Sequence, residues 1–271
     1  MDKIFTIVYK TYTQDLPWLE YSLLSLQKFL NPENVLEIII YFHDICYDKL
    51  IKIINKINLS NFVNYRLIPV HYDYHGYIKQ MVVKCKSYED CNTKYIVILD
   101  CDLLLKEELN LNYFIRSNGK IKWRYLKKED EPDCVVFSVW KQAYEDQTLQ
   151  KQNVHYMANG FPFIFTKESL KNANLKFIEL HGIDYEKYCK KRLLKFKEKV
   201  NANLTTCQAF DYLKTVFEEF EYLGFYCHNF SDDYIFISSN IFTDFKSFFI
   251  QNWSHGGITT EIQNTIDNIL K

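Results

Sequence analysis

The sequence predicts an α/β fold in which a central, mainly parallel sheet is flanked by helices. In the first hundred residues, short β-branched and aromatic runs alternate with segments whose apolar residues recur at helical spacing, which is the pattern of a parallel sheet. Hydrophobic residues make up 48% of the 271 residues, which is enough for a large core. With only 7 Gly and 5 Pro, and with no repeat or linker, we expect a single domain.

Four strands and three helices are predicted in the first half of the chain. Asp15 can cap the first helix, with Pro17 in its first turn, and the leucines from Leu19 to Leu30 recur along one side of that helix. The predicted strands are Ile4–Tyr9, Leu36–Phe42, Tyr65–Val70 and Tyr95–Leu99. The other two predicted helices are Tyr47–Asn58 and Tyr77–Asp90.

The second half of the chain has more helices and fewer clear strands. The segment His155–Thr166 is strand-like but is interrupted by Asn-Gly-Phe-Pro. Apolar spacing predicts helices over Val135–Gln150, Lys167–Asn172 and Thr205–Glu221, a strand over Tyr234–Ser238, and a final helix near the C-terminus.

A basic run, Lys187–Lys199, also suits a helix, because its apolar residues fit one face. We expect the charged face of that helix to be solvated. The alternative is a site for an anionic acceptor or a membrane surface.

The overall composition argues against several classes of protein. The formal net charge of −1 gives no general attraction to nucleic acid or to acidic membranes. The eight cysteines form no C-x-x-C pair, so we expect reduced, mostly buried thiols rather than a zinc ribbon. The first apolar run, Ile4–Val8, is too short for a signal peptide, and no run approaches the roughly 18 residues of a membrane span. These features predict a cytoplasmic protein without a nucleic-acid partner.

The strongest chemical signal lies in the stretch Tyr95–Leu105. A buried strand pattern ends there in Asp100-Cys101-Asp102, and residues i and i+2 of an extended segment point the same way. Asp100 and Asp102 should therefore converge at the carboxyl end of the strand, where open α/β sheets bind ligands. Two adjacent carboxylates need a compensating cation, for which Mg²⁺ or Mn²⁺ is suited. The alternative is that Asp100 caps a turn and Asp102 is solvated.

Five short motifs follow one another in an order that is more specific than Asp-x-Asp alone. They are Thr11–Asp15, Gly76–Gln80, Leu99–Asp102, Asn159–Pro162 and Glu219–Gly224, which together extend over about residues 3 to 226. In this order they resemble the GT-A nucleotide-sugar glycosyltransferases, especially small enzymes of large DNA viruses and bacteria such as the rhamnosyltransferase-like domain of chlorella viruses.

The resemblance implies a single GT-A, Rossmann-like domain. About residues 1–105 would bind the nucleotide-sugar, and about residues 106–271 would bind the acceptor and carry the C-terminal helices. The segment Asn174–Asn203 resembles an insertion relative to the family, and a viral relative of this kind would act in the host cytoplasm.

The resemblance also implies a metal-dependent glycosyltransferase. A sugar would pass from a nucleoside-diphosphate sugar, expected to be a UDP-sugar, to a hydroxyl group of a glycan or another acceptor. Asp100 and Asp102 would hold Mn²⁺ or Mg²⁺ on the donor diphosphate, and His255 would complete the metal site. The nucleotide-sugar site would further include Thr11, Tyr12, Asp15, Lys79, Gln80 and Cys101.

On the acceptor side, the resemblance assigns a proton-accepting carboxylate to Glu219, with Asp211 as the fallback, provided that the enzyme inverts. Whether it inverts or retains, and which sugar it transfers, stays open. The pocket for the sugar and acceptor would contain Asn159, Gly160 and Phe161, with Gly160 permitting an unusual backbone angle.

Each of these assignments has a structural alternative. Glu219 could belong to a solvated acidic helix end, Tyr12 could be a packed aromatic, and Lys79 could be an exposed helix residue.

Two other functions compete with the transferase. Haloacid-dehalogenase-like phosphohydrolases also end a strand in Asp-x-Asp and use a later acidic pair, for which Asp232 and Asp233 could serve. Against this, that motif belongs on the first strand, whereas Asp100 follows about the fourth. The other candidate is a non-catalytic module that binds sugar or nucleotide on a transferase-like fold.

Overall fold

A five-stranded sheet forms the centre of the computed structural model, which describes residues 3–71, 73–130, 136–199, 212–238, 248–252 and 257–271. The side chains at 136, 159 and 196–199 are outside this description. The strands are β1 (Phe5–Thr11), β2 (Val35–His43), β3 (Asn64–Val70), β4 (Tyr95–Leu99) and, far along the chain, β8 (Phe163–Thr166).

Their order across the sheet is β3-β2-β1-β4-β8. The first four strands are parallel to their neighbours, and β8 runs antiparallel to β4. The predicted α/β fold with a mainly parallel sheet is confirmed.

Three helices connect the parallel strands, close to their predicted positions: α1 (Leu16–Phe29), α2 (Tyr47–Ile57) and α3 (Gly76–Lys86). Asp15 occupies the N-cap position of α1, but its side chain makes no capping hydrogen bond. The predicted cap is therefore right in position and wrong in contact, because the Asp15 carboxylate lines a cleft beside the sheet instead.

The second half differs from the prediction at several helices. The helix predicted over Val135–Gln150 is two short helices, α4 (Val136–Val139) and α5 (Lys141–Thr148), which are separated at Trp140. The short helix predicted over Lys167–Asn172 continues to His181 as α6 (Lys167–His181), and α7 (Tyr185–Lys199) follows it.

The helix predicted over Thr205–Glu221 does not continue to Glu221. Residues 212–216 are helical, and a new helix, α8 (Glu219–Phe230), starts after a break. One reason is that the Glu218 carboxyl group accepts the N–H of Glu221 and so caps the new helix.

Two small sheets complete the described structure, together with a last helix. The first small sheet consists of β6 (Ile121–Lys127), β7 (Val154–His155) and the predicted strand β9 (Tyr234–Ser238). The second pairs β5 (Leu103–Leu105) with β10 (Phe249–Gln251). Helix α9 (Thr260–Leu270) returns to α1, where the Tyr21 hydroxyl donates to Gln263 Oε1 at 3.2 Å.

One contiguous set of buried apolar side chains extends from Phe5 to Ile266. Strands β1 and β4 are buried along their whole length. The six cysteines in the described segments are buried free thiols, as expected. The described helices include none with the length and apolarity needed to cross a membrane.

Candidate functional site

A cleft of about 990 Å³ opens beyond the carboxyl ends of β1 and β4. Most residues predicted for the donor site line it, although they come from separate parts of the chain. These are Tyr12, Asp15, Gln80, Asp100, Cys101 and Asp102. Thr11 is buried at the end of β1, and its hydroxyl donates to the carbonyl of Tyr12 at 3.4 Å. Thr11 contacts a residue that lines the cleft but does not line the cleft itself.

A hydrogen bond on each side holds the Asp-x-Asp turn in place. The Cys101 thiol donates to the carbonyl of Lys10 at 3.2 Å, which joins the ends of β4 and β1. Burial raises the pKa of this thiol, so Cys101 is a packing group and not a nucleophile. On the other side, the N–H of Asn252 donates to the carbonyl of Asp102 at 2.9 Å. The two carboxylates are therefore presented from a fixed backbone.

Lys84 on α3 contacts two acids of the cleft. Its Nζ lies 2.6 Å from Asp100 Oδ1 and 2.9 Å from Glu219 Oε1, and the residue is only 2% exposed. Burial lowers the pKa of this ammonium, but the charges of Asp100 and Glu219 outweigh that effect and raise its pKa well above the ordinary value. Lys84 therefore stays protonated and links β4, α3 and α8 by charge-assisted contacts.

A second buried lysine, Lys10, lies at the end of β1 in the same cleft. Burial lowers its pKa to about 8, partly opposed by the attraction of Cys101 and Asp15. Its ammonium lies 4.8 Å from the centre of the Tyr12 ring. The cleft thus contains two lysines beside the Asp-x-Asp turn, and an anionic diphosphate would be a suitable counter-charge.

Glu219 enters the cleft at the first residue of α8. The ring of the next residue, Phe220, stacks on Phe163 of β8 with 3.8 Å between ring centres, which fixes the start of α8 against the sheet. Glu219 is 3% exposed and lines the cleft. It is therefore not part of a solvated acidic helix end.

The two neighbouring glutamates are buried as well, and each has a distinct environment. Burial raises the pKa of Glu218 well above its ordinary value, and repulsion from Glu219 and Glu221 adds to this. Both effects favour the protonated form of Glu218. This carboxyl group also lines the cleft.

Glu221 points away from the cleft and holds the segment that follows β7. Its two oxygens accept the backbone N–H groups of Tyr156 and Met157, each at 3.2 Å. Its Oε1 also lies 2.5 Å from His155 Nδ1. Glu221 is therefore a structural carboxylate.

Lys79 lies outside this cleft. Its ammonium pairs with Glu186 Oε1 at 3.1 Å and lies 3.7 Å from Asp73. It lines a separate groove of about 440 Å³. The predicted contact of Lys79 with phosphate stays a prediction, and its present position on α3 does not support it.

One of the three residues predicted for the acceptor pocket lines the cleft. Phe161 lines it, and Gly160 has φ of +65°, the unusual backbone angle that was expected. The side chain of Asn159 is outside the described part of the structure, as are Asp211 and His255. Further apolar walls come from Trp140, Met157 and Leu213.

Asp100 and Asp102 fit an open cation site. In the described residues, no group of three His, Cys, Asp or Glu side chains could hold a metal ion. Two carboxylates, with the other positions left to water and phosphate oxygens, are a usual arrangement for Mg²⁺ beside a nucleotide. The residues present therefore suit Mg²⁺ or Mn²⁺ that binds together with a diphosphate.

Sequence reasoning missed Lys84, Lys10 and Glu218. For Lys84 a signal existed, because Tyr77, Gln80 and Lys84 are spaced by three and four residues and so share one face of α3, and all three line the cleft. Lys79 falls on the opposite side of the same helix. For Lys10 and Glu218 there was no comparable signal, since their burial depends on distant segments.

No protein-family model matches the chain, and no curated protein matches its sequence. Among solved structures, the chain is similar to the crystal structure of the glycosyltransferase GlyE from Streptococcus pneumoniae TIGR4, with a TM-score of 0.44 and 12% sequence identity. That similarity covers 88% of this chain but 45% of the other chain. It is too distant to assign an activity, so the cleft itself is the basis for the functional proposal.

Proposed function

We propose that this protein is a GT-A-type glycosyltransferase that uses a nucleoside-diphosphate sugar as donor and a hydroxyl group as acceptor. The observation that carries the proposal is the convergence of Asp100, Asp102, Lys84 and Glu219 in one cleft at the carboxyl end of the parallel strands. Such a transfer requires compensation for the charge of a diphosphate and, if it inverts, a carboxylate near the acceptor, and this cleft contains groups for both.

The two buried lysines suit the donor side of this reaction. Lys84 stays charged next to Asp100, and the Lys10 ammonium lies against the face of the Tyr12 ring. As the bond between sugar and diphosphate breaks, negative charge grows on the leaving nucleoside diphosphate, and nearby ammonium groups stabilise it. Tyr12 offers an aromatic face for a nucleotide base, and we propose UDP as the nucleotide.

Asp100 and Asp102 would hold the divalent cation, Mn²⁺ or Mg²⁺. When bound, this ion supplies Lewis-acid stabilisation of charge on the diphosphate. The proposed third ligand is His255, and the described chain ahead of it ends at Asn252, which is hydrogen-bonded to Asp102.

Glu219 is the proposed proton acceptor if the reaction inverts the anomeric carbon. Its Oε1 is held by Lys84, which fixes the orientation of the carboxylate and leaves Oε2 to receive the proton of an acceptor hydroxyl. The aromatic and apolar walls formed by Phe161, Trp140 and Leu213 would pack against the sugar rings of a glycan acceptor.

The geometry disfavours the phosphohydrolase alternative. Asp233 accepts the hydroxyl of Thr166 at 2.7 Å, and Thr166 pairs with Tyr95 at the start of β4. Asp100 follows the other end of that strand, so the two sites are separated by on the order of 15 Å along the sheet. Asp233 therefore cannot act together with Asp100.

The test is a panel of UDP-, GDP- and TDP-sugars with and without Mn²⁺, measured by thermal shift and by release of nucleoside diphosphate. We expect stabilisation and slow metal-dependent hydrolysis with at least one nucleotide-sugar, and loss of hydrolysis in Asp102→Asn. The matched control is Asp130→Asn, an exposed acid distant in sequence, which should keep wild-type rates.

Other outcomes would select the competing functions. Hydrolysis of a simple phosphomonoester without nucleotide-sugar turnover would support a phosphohydrolase. Binding of the nucleotide-sugar without any turnover, with or without a glycan acceptor, would support a non-catalytic binding module.

A further inference from the structure

Helix α7 is strongly basic, although the whole chain has a formal charge of −1. The helix contains seven basic residues and two acidic residues. A helix of this composition on a nearly neutral protein produces a local positive field.

The buried residues and the exposed lysines of α7 lie on different faces of the helix. Tyr185 and Cys189 are fully buried against the body of the protein. Lys187, Lys191 and Lys195 are exposed and follow one another at intervals of four residues, so they form a row along the outer face. This row is named the lysine row below.

The lysine row differs from Lys190 and Arg192, the other basic residues of α7 whose side chains the structure describes. Lys190 pairs with Asp73 and Glu186, and Arg192 pairs with Asp146 at 2.6 Å. No member of the lysine row pairs with an acid among the described side chains. The function of Lys190 and Arg192 is to attach the helix, whereas the lysine row is directed to solvent.

Apolar side chains accompany this charge at exposed positions. Leu194 lies on the same outer face as the lysine row and is 60% exposed. At the cleft, Ile45 is 78% exposed and Val139 is 37% exposed, although both line it. Exposed apolar groups of this kind gain free energy when they enter the boundary between lipid headgroups and acyl chains.

Helix α7 also lies beside the cleft. Glu186 of α7 pairs with Lys79 of α3, whose first turn lines the cleft, and the Tyr212 hydroxyl donates to the carbonyl of Arg192 at 3.2 Å. Leu213, the residue after Tyr212, is itself a wall of the cleft. A surface that docks through α7 would therefore lie near the proposed acceptor site.

We propose that the lysine row and Leu194 form a docking surface for an anionic lipid bilayer. The lysines would contact acidic headgroups, and Leu194 would enter the interface, so that the protein lies on the membrane without spanning it. A soluble polyanion would use the lysines but would gain nothing from an exposed leucine, and for this reason the bilayer is the favoured partner. If the proposed transferase activity is correct, its acceptor is carried by that membrane.

The test is co-sedimentation of the full chain with vesicles of phosphatidylcholine alone and of phosphatidylcholine with 30% phosphatidylglycerol. We expect binding to the anionic vesicles only, and weaker binding as NaCl is raised. Lys187→Gln/Lys191→Gln/Lys195→Gln should weaken binding about a hundredfold, because each lysine near an anionic surface contributes roughly a factor of five.

The matched control removes the same charge from three exposed lysines on other elements, Lys106→Gln/Lys128→Gln/Lys171→Gln, and should bind within about threefold of wild type. Equal loss in both triple variants would overturn the proposal, since net charge alone would then explain binding. The proposal would also be overturned if the wild-type protein did not bind anionic vesicles. Binding of these vesicles by Leu194→Ser as tightly as by the wild type would overturn it as well.

Nucleotide-sugar hydrolysis in the absence of vesicles separates this proposal from the proposed function. Both triple variants should hydrolyse the donor at wild-type rates, because none of the six lysines lines the cleft. Vesicle binding without any donor hydrolysis would support the docking surface and contradict the transferase.

Discussion

The ammonium of Lys84 lies 2.6 Å from a carboxylate oxygen of Asp100, in a position where the lysine is almost inaccessible to water. This contact joins the helix before β4 to the turn after it. Because the same ammonium reaches Glu219 at 2.9 Å, one side chain sets the positions of the proposed cation site and the proposed proton acceptor.

Replacing Lys84 with Met should destabilise the protein by about 3 kcal/mol, because Glu219 would be left as a buried carboxylate without its counter-charge. Lys79→Met is the matched control on the same helix, and the more exposed pair that it breaks should contribute about 1 kcal/mol or less. Urea unfolding of the two variants provides the measurement. Equal midpoints for the two variants would mean that Glu219 is rehydrated without Lys84.

Replacing Glu219 with Gln should lower kcat by about 10²–10⁴-fold and leave donor affinity nearly unchanged, provided that the reaction inverts. The amide keeps the size and a hydrogen-bond acceptor for Lys84 but cannot accept a proton. Product stereochemistry, determined by NMR, must come first, because retention of configuration removes the need for a base.

Glu218→Gln is the matched control for the Glu219 variant. Burial raises the pKa of Glu218 and so favours its neutral form, which an amide resembles. We expect its kcat to stay close to that of wild type. A large loss of kcat in Glu218→Gln but not in Glu219→Gln would transfer the proposed role to Glu218.

Affinity for UDP should decrease between pH 7 and pH 9, because Lys10, with a pKa of about 8, loses its charge in that interval. Calorimetric titration should show a decrease of about tenfold, as hydrogen bonds to charged groups contribute about 1.5–3 kcal/mol. Lys10→Met should bind UDP more weakly at pH 7 and show no further decrease at pH 9. A pH dependence that survives in Lys10→Met would assign the titration to another group.

The same pKa predicts the opposite trend for stability. The folded-state pKa of Lys10 is about 8 and its ordinary value is 10.5, so the unfolded chain binds more protons between these two pH values. The contribution of Lys10 to stability therefore rises with pH through this window. In Lys10→Met this rise should be absent from urea midpoints measured at pH 8 and pH 10.

Replacing Glu221 with Gln should destabilise the protein by about 1–3 kcal/mol. Oε1 accepts the N–H of Met157 and contacts His155, and Oε2 accepts the N–H of Tyr156. An amide –NH₂ would meet a donor in either orientation, so one buried N–H would lose its acceptor. Urea midpoints compared with those of Glu218→Gln, which faces no such conflict, measure this difference, and equal midpoints would contradict it.

The first half of the fold could be predicted because its signals are local. Strand β4 is apolar without interruption, and β1 is interrupted only by Thr6, Lys10 and Thr11, since both strands are covered on both faces. The leucines of α1 recur at helical spacing because the face of the helix that carries them is buried. The position of Asp100 and Asp102 in a cleft followed from the direction of β4 alone.

The rest of the site depends on contacts between distant segments. The break before Glu219 arises because Glu218 caps α8 and Phe220 stacks on Phe163, and the apolar periodicity around these residues contains no sign of it. Lys84 and Lys79 are both lysines on one helix, and the contacts of Lys84 with Asp100 and Glu219 join it to distant segments. Pattern reasoning chose Lys79, which lies outside the cleft, and did not identify Lys84, which lines it.

The pairing of β5 with β10 matters for the order in which the protein is completed during synthesis. Ribosomes add about 5–20 residues per second, so Leu103–Leu105 emerge on the order of ten seconds before their strand partner, Phe249–Gln251. During that interval the edge of β5 is open to other chains. The hydrogen bond from the N–H of Asn252 to the Asp102 carbonyl has not yet formed. The turn that carries the acids is therefore made well before the segment that fixes it.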